Sequence, residues 1–305
     1  MTTVRVATRG SDLALAQANA MAERIRNELG RSAELVVLRT TGDRIQDQSL
    51  AKIGGKGLFV KEIEEALLDG RADVAVHSAK DLPAVIAPGC VLAAFPERAD
   101  PRDALVAHAA ETTLDRLPER ARVGTGSTRR TAQLRALRPD LEVVPLRGNV
   151  PTRIQKIETE DLHAVVLACA GLDRLGLAEH VRERVSSEAM LPAVCQGTLA
   201  LETRADDPLR DAIHQLEDSL AAASARAERA FLNRIGGDCT TPIAAFAEVT
   251  EAGGLRMRSL VASEDGRNLV RAEGSGRDPE SLGQEVAEEL LDAGGREILA
   301  ALAGS

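Results

Sequence analysis

The sequence predicts an α/β protein with two doubly wound domains, followed by a small α+β domain carrying a three-stranded antiparallel sheet. Three observations predict this. Short apolar runs alternate with helix-period segments through two successive stretches, the pattern of parallel sheets with crossover helices. The last part of the chain instead shows three strand-like segments in a row and then a helix. An apolar run at Leu199–Leu201, after the second α/β stretch, is placed to return to the first sheet. The expected domains are residues 1–97 with 197–216, residues 101–192, and residues 219–305, and 305 residues suffice for that many cores.

In chain order, Val4–Ala7 reads as a short buried strand. Arg9-Gly10-Ser11 makes the turn, and Ser11 or Asp12 caps an amphipathic helix from about Asp12 to Leu29. A Gly turn at a helix start aims backbone N–H groups at an anion. Leu35–Leu38 is a second strand, and Gly42–Gly57 a polar, Gly-rich loop that is either disordered or a lid. Lys52 and Lys56 on it are either mobile cations or plain solvated lysines. A helix over Leu58–Leu68 and a strand over Asp73–Val76 lead to His77-Ser-Ala-Lys-Asp-Leu-Pro83. The pair Lys80-Asp81 falls just past a strand's carboxyl end, where open α/β sheets place ligand crevices. Pro83 disfavours a helix directly after it, so the pair belongs to a turn.

Val91–Phe95 and Ala104–Ala107 read as strands leaving the first domain. The second domain repeats the pattern: strand 122–124, helix 127–137, strand 142–144, helix 150–157 and strand 164–168, then a turn over 171–176 containing Arg174. Helices follow at Pro208–Leu216 and Leu220–Ile235, the latter stopped by Gly236-Gly237. Strands at Ile243–Val249, Leu255–Ala262 and Leu269–Ser275 and a final helix from about Pro279 complete the chain.

Charge is distributed unevenly. The chain carries −9 overall, yet residues 122–153 hold seven arginines against two acids. Arg135 and Arg138 suit a solvated helix face. Arg129, Arg130, Arg147 and Arg153 sit beside Gly turns at strand ends, where guanidinium forks suit carboxylate or phosphate. Gly124-Thr125-Gly126 is no dinucleotide fingerprint, since Arg129 occupies the third glycine position. The acidic balance, together with the absence of Trp and Tyr, argues against nucleic-acid binding. No signal peptide or membrane span is evident. Cys90, Cys169, Cys195 and Cys239 are irregularly spaced, which fits reduced thiols in a cytoplasm and suggests no metal site. The first three read as small buried hydrophobes, whereas Cys239 lies on a loop between a helix-ending Gly-Gly and Pro242. His77 reads as a hydrogen-bonded structural histidine.

Seven segments in order resemble the porphobilinogen deaminase family, whose members are hydroxymethylbilane synthases. They are Arg9-Gly-Ser-Asp-Leu-Ala-Leu, Lys52-Ile-Gly-Gly-Lys-Gly-Leu-Phe59, His77-Ser-Ala-Lys-Asp-Leu-Pro, Gly124-Thr-Gly-Ser-Thr-Arg-Arg, Leu146-Arg-Gly-Asn-Val, Ala170-Gly-Leu-Asp-Arg-Leu-Gly and Gly237-Asp-Cys-Thr-Thr-Pro. The resemblance runs nearly end to end. It implies two periplasmic-binding-protein-like domains with the active site in the cleft between them, and a third domain bearing a dipyrromethane cofactor on a thioether to Cys239. It implies head-to-tail joining of four porphobilinogen molecules on that cofactor with loss of ammonia, then hydrolytic release, by a cytoplasmic monomer. Each pyrrole carries an acetate and a propionate, which would explain a dense set of cations in an acidic chain. By motif position, Lys80, Arg129 and Arg130, with Thr125 and Ser127, match the cofactor contacts. Arg9, Ser11, Arg147, Asn149, Arg153 and Arg174 match those of substrate and growing chain. Asp81 matches the catalytic carboxylate, which can bond pyrrole N–H groups and offset developing positive charge. Phe59 is placed against a pyrrole ring, with Lys52 and Lys56 on the overlying lid. The chain departs from the family pattern at Gly126, often serine, at Cys195, often glycine, and at Asp238, commonly glycine. Two competing readings remain from the residues alone: a two-domain binding protein for small dicarboxylates, and phosphate or nucleic-acid binding through the Arg tract.

Overall fold

The computed structural model describes residues 3–38, 60–236 and 241–303. The chain divides into two compact units, Met1–Ala99 with Thr198–Ala223, and Asp100–Gly197 with Ser224–Ser305.

The first unit is organised on β1 (Val4–Arg9). Parallel partners flank it on both sides, β2 (Ala33–Leu38) and β3 (Val74–Ser78). The strand β10 (Leu199–Arg204) runs antiparallel between β3 and β4 (Cys90–Ala94), giving the order β2-β1-β3-β10-β4. The apolar run at Leu199–Leu201 thus completes this sheet. Helix α1 (Asp12–Leu29) begins on Ser11, whose Oγ accepts from Ala14 N–H at 3.3 Å. It ends on Gly30 at φ 62°, a left-handed cap suited to a residue without Cβ. Its buried stripe of Ala18, Met21, Ala22 and Ile25 covers Val4, Val6, Val74 and Val76 on one sheet face. On the other face, α2 (Lys61–Leu68) packs Ile63, Ala66 and Leu67 over Ala7 and Ala75. At about 1.5–3 kcal/mol for each large apolar side chain, these two layers hold the ends of β1 and β3 fixed.

The second unit contains two sheets. The larger has the order β7-β6-β8-β5-β9, with β6 (Arg122–Thr125) parallel to β7 (Glu142–Pro145) and β8 (Ala164–Ala168). β5 (Asp103–Val106) runs antiparallel to β8 and to β9 (Val181–Val185). The sequence reading omitted β9, because Val-Arg-Glu-Arg-Val places charges inside the run, as an edge strand tolerates. Helix α3 (Thr128–Leu137) follows β6, α4 (Val150–Thr159) follows β7 and α5 (Cys169–Arg174) follows β8. The smaller sheet is β11 (Ile243–Val249), β12 (Leu255–Ala262) and β13 (Leu269–Gly276), antiparallel throughout. Its Ala244, Phe246, Leu260 and Ala262 pack on Ala132 of α3 and on Leu191. Of the remaining helices, α6 (Arg210–His214) belongs to the first unit, and α7 (Ser219–Ile235), α8 (Pro279–Leu290) and α9 (Arg296–Ala303) follow it in the chain. The final helix foreseen from Pro279 is broken near Gly294, whose φ of 114° no right-handed helix accepts.

Candidate active site

In both units the strand order reverses beside a parallel strand flanked on each side, at β1 in the first and β6 in the second. The crevice at the carboxyl ends of such strands is where doubly wound sheets bind ligands.

In the first unit, one pocket is lined by Arg9, Ser11, Gln17, His77, Ser78 and Asp81, with Leu13, Ala14, Val60 and Val76 as its apolar wall. Local structure explains the arrangement. β3 ends in a single 3₁₀ turn, Ala79–Asp81. Ala79 and Leu82 are buried on either side, and Ala79 N–H donates to Thr198 O at 3.0 Å. The intervening Lys80 and Asp81 are turned outward, Lys80 half-buried and Asp81 exposed. Gln17 and Ser78 hydrogen-bond each other at 3.0 and 3.2 Å, tying α1 to β3. His77 Nε2 meets Glu202 Oε2 at 2.9 Å. The structure therefore brings Arg9, Ser11 and Asp81 into one pocket, from segments some seventy residues apart.

In the second unit, the residues after β6 form a tight turn. Thr125 Oγ1 accepts from Ser127 N–H at 3.3 Å, and Ser127 Oγ caps α3 by accepting from Arg130 N–H at 3.4 Å. Gly126 approaches Leu146 so closely that a Cβ would sit 2.4 Å from its carbonyl oxygen. A side chain at this position would have to displace that carbonyl.

Arg129 and Arg130 require a correction. They do not stand open to solvent, for both already meet an anion within the chain, Asp103. Arg129 donates to both Asp103 oxygens at 2.8 and 3.2 Å, and Arg130 donates from Nε and Nη2 to Oδ1 at 3.0 and 2.7 Å. Arg129 Nη1 also reaches Leu191 O, and Gln196 Nε2 adds a bond of 2.8 Å to Asp103. Both guanidinium groups are about 95% buried and Asp103 completely so. Burial alone would raise the pKa of Asp103, but the two adjacent positive charges outweigh it and hold the carboxyl well below its ordinary range. Two guanidiniums against one carboxylate leave a surplus of positive charge at the first turn of α3. In that turn Thr128 Oγ1 and Arg129 Nε are buried without a hydrogen-bond partner among the described residues.

The other cations are less enclosed. Arg147 and Asn149 are exposed, and Asn149 caps α4 by accepting from Thr152 N–H at 2.9 Å. Arg153 Nε donates to Gly148 O at 2.7 Å, and the half-buried Arg174 donates to Gly197 O at 2.7 Å. Burial lowers the pKa of Arg174. Lys52, Lys56, Phe59, Asp238 and Cys239 lie outside the described residues, as does the loop 42–57. Burial pushes the thiols of Cys90 and Cys169 up to about 12, so neither is a nucleophile near neutral pH. Cys195 is buried at a φ of 57°, the left-handed region that a glycine fills more readily. Its N–H is held by the Glu228 carboxylate.

Sequence reasoning missed Asp103 and Glu202, the buried partners of the arginines and of His77. Each lies in an otherwise apolar strand, Asp103 before Ala-Leu-Val and Glu202 after Leu-Ala-Leu. An acid inside a buried strand is a signal that a partner exists, though not which one.

Two family models match the chain. One describes the dipyrromethane cofactor binding domain of porphobilinogen deaminase and covers residues 4–211; the other, its C-terminal domain, covers residues 222–292. A protein of Syntrophus aciditrophicus named porphobilinogen deaminase is 51% identical over 300 residues, covering 97% of each chain. One of a Roseiflexus species, of the same name, is 49% identical over 98% of this chain and 99% of its own. Among solved structures, a periplasmic substrate-binding protein from Coxiella burnetii aligns over 74% of this chain and 96% of its own at TM-score 0.43 and 14% identity. An aliphatic sulphonate binding protein from Escherichia coli aligns over 76% of this chain and 70% of its own at TM-score 0.40 and 15% identity. These two likenesses are too weak to bear on function.

Proposed function

The chain belongs to the porphobilinogen deaminase family, and on that premise we propose which of its residues carry the reaction. The activity is that of a hydroxymethylbilane synthase. It condenses four porphobilinogen molecules head to tail with release of ammonia, on a covalent dipyrromethane primer, and then releases the linear product by hydrolysis. The observation that carries the residue assignment is the pocket shared by Arg9, Ser11 and Asp81 at the reversal of strand order.

The donor set fits a polycarboxylate cofactor. A surplus positive charge at a helix N-terminus, beside two buried polar atoms without partners among the described residues, suits a carboxylate there. Lys80, Thr125, Ser127, Arg129 and Arg130 would hold the cofactor's acids, and Cys239 its thioether. When bound, the dipyrromethane supplies the free pyrrole carbon from which the chain is extended. Arg129 and Arg130 act from their Asp103 clamp, which fixes both forks before any ligand arrives. Arg9, Ser11, Arg147, Asn149, Arg153 and Arg174 bind the acetate and propionate groups of incoming porphobilinogen and the growing chain. By motif position, Lys52, Lys56 and Phe59 are further candidates for contact with it. Asp81 accepts hydrogen bonds from pyrrole N–H groups and offsets the positive charge that develops as the amine departs; such preorganised groups contribute about 10²–10³-fold.

We assign residues 1–97 with 197–216, 101–192 and 219–305 to three domains, and place the protein in the cytoplasm as a monomer acting without nucleic acid or membrane. No helix among the described residues is long and apolar enough to cross a membrane.

Intact mass tests the reading. Protein made in the presence of porphobilinogen should carry the added mass of two pyrrole units, and Cys239→Ser should lose it; an unmodified wild-type mass would refute the assignment. Asp81→Ala should keep its fold by circular dichroism and lose at least about 10²-fold in kcat. Turnover near the wild-type rate would remove Asp81 from its role.

A further inference from the structure

His77 is 7% exposed, at the end of β3, and is one of the residues lining the pocket that holds Arg9 and Asp81. Glu202, its partner across the sheet on β10, is fully buried. A carboxylate accepts, so at the 2.9 Å contact the Nε2 of a neutral ring carries the hydrogen and donates it to Glu202. Nδ1 is then left as the ring's lone-pair nitrogen, and it makes no hydrogen bond among the described residues. A base oriented through its far nitrogen by a buried carboxylate is the arrangement by which imidazoles take up protons in catalysis.

Glu64 of α2 interacts electrostatically with both His77 and Glu202, and Cys90 of β4 with Glu202, while Arg9 and Asp81 line the same pocket as His77. Glu64 is spent on Ala87 N–H at 2.8 Å, and burial raises its pKa, which weakens its claim on the ring's charge. The Cys90 thiol, at about 12, stays neutral. Glu202 is therefore the carboxyl group that orients the ring of His77 through Nε2.

We propose that His77 is a further catalytic residue, the base that takes the proton released as each pyrrole–pyrrole link is completed, with Glu202 as its positioning residue. This rests on the porphobilinogen deaminase reading above. In each link, the C–N bond of the protonated aminomethyl group breaks and ammonia leaves with the electron pair. A C–C bond forms from the resulting electron-poor methylene carbon to a free α-carbon, using a π pair of the accepting ring. That ring recovers its pair when the α C–H bond breaks. His77 Nδ1 takes the proton and passes it to the ammonia already released, giving ammonium, so the ring is neutral again for the next link. Asp81 remains the group that offsets positive charge, leaving the two roles on separate side chains.

Two measurements test the proposal. In ¹⁵N-labelled wild-type protein, NMR of His77, assigned by through-bond correlation to its backbone, should show the neutral ring protonated on Nε2. A neutral ring protonated on Nδ1 overturns the proposal regardless of activity. The variant His77→Gln keeps an N–H donor for Glu202 but no base. Its cofactor mass should be retained and its KM little changed, while kcat falls about 10²-fold or more. With porphobilinogen deuterated at its free α-carbon, the primary isotope effect on kcat should rise above that of wild type, because proton removal becomes slow. Turnover within threefold of wild type, or an unchanged isotope effect in folded, cofactor-bearing H77Q, overturns the proposal. Failure of the functional reading looks different: the wild type itself would lack the adduct and the turnover.

Discussion

Replacing Asp103 by Asn removes the charge that compensates two buried guanidinium groups while leaving the side chain's volume intact. Asp103 is completely buried and accepts from Arg129, Arg130 and Gln196, so the variant confines two like charges in a low-dielectric site. Breaking a buried pair by removing one partner costs about 3–5 kcal/mol. Arg130→Met changes the same cluster in the opposite sense. It leaves Arg129 and Asp103 as a one-to-one pair joined by bonds of 2.8 and 3.2 Å, and fills the space with an apolar side chain. Its expected cost is lower, about 1–2 kcal/mol, since well-packed apolar replacements of buried charges are often tolerated. Urea unfolding followed by far-ultraviolet circular dichroism measures both. Asp103→Asn should lower the midpoint far more than Arg130→Met, with similar slopes. Intact mass should show that Arg130→Met, which removes the surplus charge, retains less cofactor. If Arg130→Met destabilises as much as Asp103→Asn, or Asp103→Asn costs under about 1 kcal/mol, charge compensation is not what holds this cluster.

Two further outcomes follow from the same structure. Asp100 is bonded by Arg102 and Arg184; burial opposes ionisation, but these bonds prevail and bring its pKa to about 2. Asp103 is depressed as well, so both carboxyls contribute stability that is present above about pH 4, the unfolded value, and lost as pH falls through the folded one. The urea midpoint should therefore drop between about pH 4 and pH 2, and a flat profile there contradicts the ion-pair account. Gly126→Ser forces a Cβ to within 2.4 Å of Leu146 O unless the backbone moves, so it should cost about 1–3 kcal/mol; an unchanged melting temperature would show that the turn yields freely.

Much of this protein was legible in one dimension. The alternation of runs such as 4–7 and 12–29 follows from local periodicity, and so do the three consecutive strands after residue 243, because each depends only on neighbours along the chain. The motifs around Arg9, Asp81, Thr125 and Arg147 were visible for the same reason, as short contiguous segments at strand ends. The edge strand Val181–Val185 was not visible, since its pairing with β5 rather than its own composition makes it a strand. What Arg129 and Arg130 hold was also beyond the sequence. An arginine's charge is local, but whether a solute or Asp103, twenty-six residues away, satisfies it depends on which strands the sheet sets side by side. Glu202 lies 125 residues from His77, and only the insertion of β10 beside β3 brings the two side chains together. Residue chemistry and local geometry were thus written in the sequence, whereas the pairing of buried charges belonged to the tertiary structure, because the partners meet only through long-range strand order.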